Sequence, residues 1–62
     1  MTLTMFFIRA QDKKNERLAN IPAIDAATAY QFFKTEISPE AIVVEIRSLF
    51  QYEIEEKKLV TN

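Results

Sequence analysis

The chain has 62 residues, of which 48% are hydrophobic, and nine Asp and Glu against eight Lys and Arg leave a net charge of −1. That length allows one domain, 1–62, which buries only about 60% of the surface its unfolded chain exposes. Gly, Cys and His are all absent, which excludes phosphate-cradling loops and Rossmann turns, disulfides, thiolate chemistry and the commonest zinc sites.

Thr2 to Ala10, rich in β-branched and aromatic residues, reads as a first strand. Leu3, Met5 and Phe7 share one of its sides, and Phe6 and Ile8 the other. Both sides are apolar at the centre, so the strand belongs in the middle of a sheet. Gln11 to Arg17 is polar throughout and reads as a hairpin turn, with Asp12 and Asn15 as the turn formers. A short helix over Asp12 to Ala19 is the alternative, but it has little apolar face. Leu18 to Ile24 is the returning strand, and Pro22, which has no N–H to donate, places it at an edge.

Asp25 then suits a helix N-cap. Behind it Ala26, Ala29, Tyr30, Phe33 and Ile37 fall on one helical side, with Thr28, Gln31 and Thr35 opposite. The helix is expected to run to Ile37 and to cover the sheet.

The segment from Ala41 to Ile54 fits two templates. Ser38-Pro39-Glu40 resembles a helix start, and Ile42, Val43, Ile46, Leu49, Phe50 and Ile54 would share a helical face. The strand template places Ile42, Val44, Ile46, Phe50, Tyr52 and Ile54 at even positions, interrupted at Ser48. The β-branched cluster Ile-Val-Val-Glu-Ile decides for strand, with a bend or bulge near Ser48. A turn near Ser48 to Gln51 would add a fourth strand. Glu55 to Lys58 reads as a solvated tail, with Thr61 and Asn62 fraying.

The expected fold is therefore α+β: a small antiparallel sheet in β-β-α-β order with one helix on one face. A right-handed crossover places the third strand beside the first, giving the order 2-1-3. We expect the helix to leave Phe6 and Ile8 on the open side, together with Val43 and Leu49.

Nothing in the sequence assembles a catalytic site. General acid–base work needs titratable groups in contrasting environments. Yet Glu36, Glu40, Glu45, Glu53, Glu55 and Glu56 lie on polar faces or in the tail, and Ser38 and Ser48 have no His to activate them. The reading is a non-enzyme without cofactor or metal. Arg9, Lys13, Lys14 and Arg17 cluster on the hairpin and are the candidate nucleic-acid contacts, since a β-ribbon can enter a major groove. Asp12 and Glu16 dilute that charge, and no aromatic residue stands among them to stack a base.

Protein–protein association is the leading expectation. A core this small calls for help, and with disulfides and zinc excluded a second subunit is the remedy left, so a homo-oligomer is expected. Phe6, Ile8 and Phe32, the last at the flank of the helix, are the candidate partner surface. An accessory subunit of a larger complex is an alternative. Near-neutral charge creates no general attraction for nucleic acid or an anionic membrane. The longest apolar run, Met5 to Ile8, is far below the ~20 residues of a membrane span. With no early Lys or Arg and no small-residue cleavage site, the N-terminus does not read as a signal peptide, and a cytoplasmic location is expected.

In its layout the chain resembles the small proteins that bacteriophages make to disable host machinery, among them RNA polymerase inhibitors and anti-CRISPR proteins. The matching features are a hairpin, a helix entered through Ile-Pro-Ala-Ile-Asp-Ala-Ala-Thr-Ala-Tyr, and a following Pro-Glu-Ala-Ile-Val-Val-Glu-Ile-Arg strand. The resemblance assigns no functional residue. It implies a binder that modulates a host protein by occupying its surface.

Overall fold

A computed structural model describes residues 1–54 of the chain. Three strands, β1 (Thr2–Asp12), β2 (Asn15–Ala23) and β3 (Ile42–Glu53), form one antiparallel sheet. The order is β2-β1-β3, with β1 central, as the two-sided apolar pattern of that strand predicts. No fourth strand forms among the described residues, and the tail from Glu55 lies outside them.

The hairpin is tighter than its polar sequence suggests. Asp12 pairs with Asn15, so the loop is only Lys13 and Lys14. Lys13 has φ 58° and is the one described residue with positive φ, the sign pattern of a type II′ turn. Gln11 and Asp12 extend β1, and Asn15 to Arg17 begin β2. Polar side chains enter this ladder freely because its end is solvated on both faces. The Gln11 side-chain amide also donates to the Lys13 carbonyl at 3.1 Å, which ties the loop to the strand.

Beyond β2, Asp25 caps α1 (Ala26–Phe32) by accepting from the Thr28 amide at 2.8 Å. Hydrogen bonds from the Thr28 side chain and then its backbone N–H hold the Asp25 carboxyl below its ordinary range. At Phe33 the α-helix widens into a single π turn, Phe33–Ile37, which the Ser38 N–H closes by donating to the Phe33 carbonyl at 2.9 Å. A π turn advances fewer degrees per residue than an α turn. Ile37 therefore swings off the buried stripe and is exposed. Ala26 and Tyr30 are exposed as well, so the expected five-residue stripe narrows to Ala29 and Phe33.

After the helix, Ser38 is buried, a turn passes through Pro39 and Glu40, and the Lys34 ammonium donates to the Ala41 carbonyl. The chain then runs extended as β3, as the β-branched cluster predicts. Its register with β1 slips twice. Met5 pairs with Phe50 and Phe6 with Ser48, then Arg9 with Glu45 and Ala10 with Val43. Leu49 and Val44 are the extra residues, so β3 carries the bulge expected near Ser48 and a second one.

The core lies between the helix and the even-numbered side of β1. Phe6, Ile8 and Ala10 of β1, Ile21 and Ala23 of β2, Ala29, Phe33 and Ala41 are buried, with Ala19, Val43 and Ile46 against them. Four of these eight buried residues are alanines. Their small side chains let a short helix approach the sheet closely. Only Phe6, Ile8, Ile21 and Phe33 contribute large apolar area.

This arrangement corrects the expected face assignment. Phe6 and Ile8 do not lie on the open side; they are under the helix, with Ile8 fully buried. The physical reason lies in β2. The tight turn pairs Phe6 with Ile21 and Ile8 with Ala19, whereas Phe7 meets Asn20 and Arg9 meets Leu18. Apolar residues face one another along the even side for longer than along the odd side, where Arg9 and Gln11 intervene. The helix covers the side that is apolar over more of its length.

Candidate interaction face

Among the described residues, no element packs over the odd-numbered side of β1. Cross-strand register builds it in rows: Leu3 beside Tyr52, Met5 between Pro22 and Phe50, Phe7 between Asn20 and Arg47, and Arg9 between Leu18 and Glu45. Directly opposed residues on one face are close enough for their side chains to interact. Leu3, Met5 and Phe7 are half-buried by these neighbours alone, while Phe50 is 56% exposed. The Phe50 and Tyr52 rings, two residues apart on the same side, lie 6.0 Å between centroids and tilt by 47°.

Charged groups border this patch. The Arg47 guanidinium stands 5.3 Å from the centroid of the Phe7 ring, within cation–π range. Arg9 bridges the sheet, with Nε 3.2 Å from a Glu45 oxygen and Nη1 3.6 Å from Glu16, and Glu45 also reaches Arg47 at 4.0 Å. These exposed pairs add little stability individually. Their effect is to fix the long side chains around the apolar centre.

Of the sequence-predicted partner surface, Phe32 alone is exposed, at 49%. It projects from the helix layer, on the opposite side of the molecule from Phe7 and Phe50, so Phe6, Ile8 and Phe32 are not brought together. The side chains that the open face brings together are Leu3, Met5, Phe7, Arg47, Phe50 and Tyr52. The alternation along β1 separates its two sides correctly, but the helix lies on the opposite side from the one expected. The alternation of Ala19, Ile21 and Ala23 in β2, read with a two-residue loop, was the signal that identifies the covered side.

The basic hairpin residues are also dispersed. Arg9 lies on the open face, whereas Arg17 pairs with Ala10 on the helix side and reaches Asp12 at 3.6 Å. Lys13 and Lys14 occupy the turn. Four cations do not converge on one surface here, and Arg9 and Arg17 each face a carboxylate.

Among the described residues no cavity opens, no group of three or more acidic residues gathers as a metal site would require, and no helix is long and apolar enough to cross a membrane. No family model, curated protein or solved structure matches this chain.

Proposed function

We propose that this chain is a non-enzymatic protein-binding module, and that its contact surface is the open sheet face formed by Leu3, Met5, Phe7, Phe50 and Tyr52 with Arg47 at its edge. The observation that carries the reading is that the helix covers one side of the sheet while the opposite side carries aromatic and aliphatic rows that no other described element packs over. Aromatic residues and arginine are the side chains that concentrate binding energy at interface centres. Among the described residues Phe50 of this face is exposed, as are Leu18 and Ile42 on the same side of the sheet, and contiguous exposed apolar surface marks association sites. The occupant is another protein presenting an apolar stripe, and occupying that partner's surface is how the chain would modulate it.

Proteins captured from the native host by the wild-type chain test this, set against two variants. Phe7→Ser should lose those partners and Phe32→Ser, on the helix layer, should retain them. Capture unaffected by Phe7→Ser, or lost equally with Phe32→Ser, would move the site elsewhere.

A further inference from the structure

We infer that β3 is a self-pairing edge, and that two copies of this chain join antiparallel about a two-fold axis at Ile46 to give one six-stranded sheet, β2-β1-β3-β3-β1-β2. This goes beyond the open-face reading, because it concerns the rim of the sheet rather than its surface.

The two edges of the sheet differ. The β2 edge carries Pro22, which cannot donate to a further strand. The β3 edge, twelve residues long, contains no proline or lysine, and β1 is its only neighbour among the described residues. Ile42, Val44, Leu49 and Phe50 along it are all exposed, Ile42 at 71%. Such an edge is a template for another strand.

The sequence of β3 states which strand. Around Ile46 the segment Ile42-Val43-Val44-Glu45-Ile46-Arg47-Ser48-Leu49-Phe50 is a chemical palindrome with its charges inverted. Antiparallel pairing centred there sets Ile46 against the partner's Ile46 and Glu45 against the partner's Arg47, twice by symmetry. It also sets Val44 against the partner's Ser48, Val43 against the partner's Leu49 and Ile42 against the partner's Phe50. Opposed residues must share a face, and they do. Ile42, Glu45, Arg47 and Phe50 are on the open side, matched to Gln11, Arg9, Phe7 and Met5, and Ile46 is on the helix side opposite Ile8.

The two bulges leave this agreement intact, because one lies on each side of the axis and each flips the face once. Val44 and Leu49 lie two residues before and three after the axis, so each bulge falls beside a non-bulged residue and the faces realign at Ile42 and Phe50. Shifting the axis to Glu45 or Arg47 stacks like charges on the two-fold, and shifting it by half a residue opposes residues of different faces. The charges that would repel a same-sign edge here select one register and one partner, a second copy.

Sedimentation of the full chain tests this, using Glu45→Arg and Arg47→Glu. Each variant alone sets like charges opposite each other at both symmetric positions, and should weaken dimerisation at least tenfold. An equimolar mixture of the two restores opposite charges at both positions and should recover the wild-type dimer as a heterodimer, which excludes misfolding as the cause of the loss. Leu3→Ser, on the open face and away from the edge, should leave the dimer unchanged even if it abolishes partner binding. A wild-type chain that stays monomeric at millimolar concentration, a mixture no more dimeric than its components, or a dimer lost on Leu3→Ser would each overturn the proposal.

Discussion

Phe33 is where the helix meets the sheet, and replacing it is the sharpest perturbation of the fold. Its ring is fully buried, and it is one of four large side chains that the described residues place in the core. Burying a side chain of this size contributes about 1.5–3 kcal/mol of transfer energy. Truncation to alanine adds the cost of the cavity left behind, for a total of roughly 3–5 kcal/mol. A chain of 62 residues has on the order of 3–9 kcal/mol in all, at about 0.05–0.15 kcal/mol per residue. Phe33→Ala should therefore lose most or all cooperative unfolding. Phe33→Leu, which keeps most of the volume, should cost about 1 kcal/mol. In urea, with a slope of about 1 kcal/mol/M for a domain this small, the leucine variant should lower the midpoint by about 1 M by far-ultraviolet circular dichroism. The alanine variant should lower it by about 3 M or more, or show no folded baseline at all. A midpoint for Phe33→Ala within about 0.5 M of wild type would mean that the helix is not held down by this residue.

Three further outcomes follow from the same geometry. Phe6→Ser should unfold the chain, because it places a hydroxyl in the core, whereas Phe50→Ser on the open face should leave thermal stability within about 0.5 kcal/mol; calorimetry on the two variants compares them, and equal losses would contradict the face assignment. Asp25 has its pKa lowered by Thr28, so its contribution is complete above the unfolded-state value near 4 and is lost as pH falls through the lower folded-state value. Asp25→Asn keeps the cap without the charge, so the stability difference between wild type and this variant should change below about pH 4 in urea titrations, and parallel curves would refute the linkage. Lys13→Gly should raise stability by about 0.5 kcal/mol, since relief of positive-φ strain exceeds the added chain entropy; a fall would mean that the turn is not strained.

How far the sequence discloses this fold depends on the element. β1 was legible because two apolar sides in a strand of hydrophobic β-formers have few other uses, and β3 because β-branched residues outweigh the capping signal of Ser38-Pro39. The side on which the helix lies was not. It depends on hairpin register, and Gln11 to Arg17 conceals a two-residue loop because lysine rarely adopts positive φ. Reading that stretch as a long turn left Phe6 without its Ile21 partner, and the buried and open sides of β1 became interchangeable. The π turn was equally hidden, since no side-chain pattern from Phe33 to Ile37 marks a widened helix. The make-up of the open face depends on the hairpin register and on the Leu49 bulge. Phe50 and Tyr52 share parity with Ile46 in the sequence, but the Leu49 bulge puts them on the opposite side of the sheet from it.

The measurement that bears most directly on the account is methyl accessibility to a soluble paramagnetic probe by NMR. With the even side of β1 under the helix and the odd side open, the Met5 methyl should be strongly broadened and the Ile8 and Ile21 methyls spared. Broadening of Ile8 with Met5 protected would reverse the faces, and the proposed contact surface would fall with them.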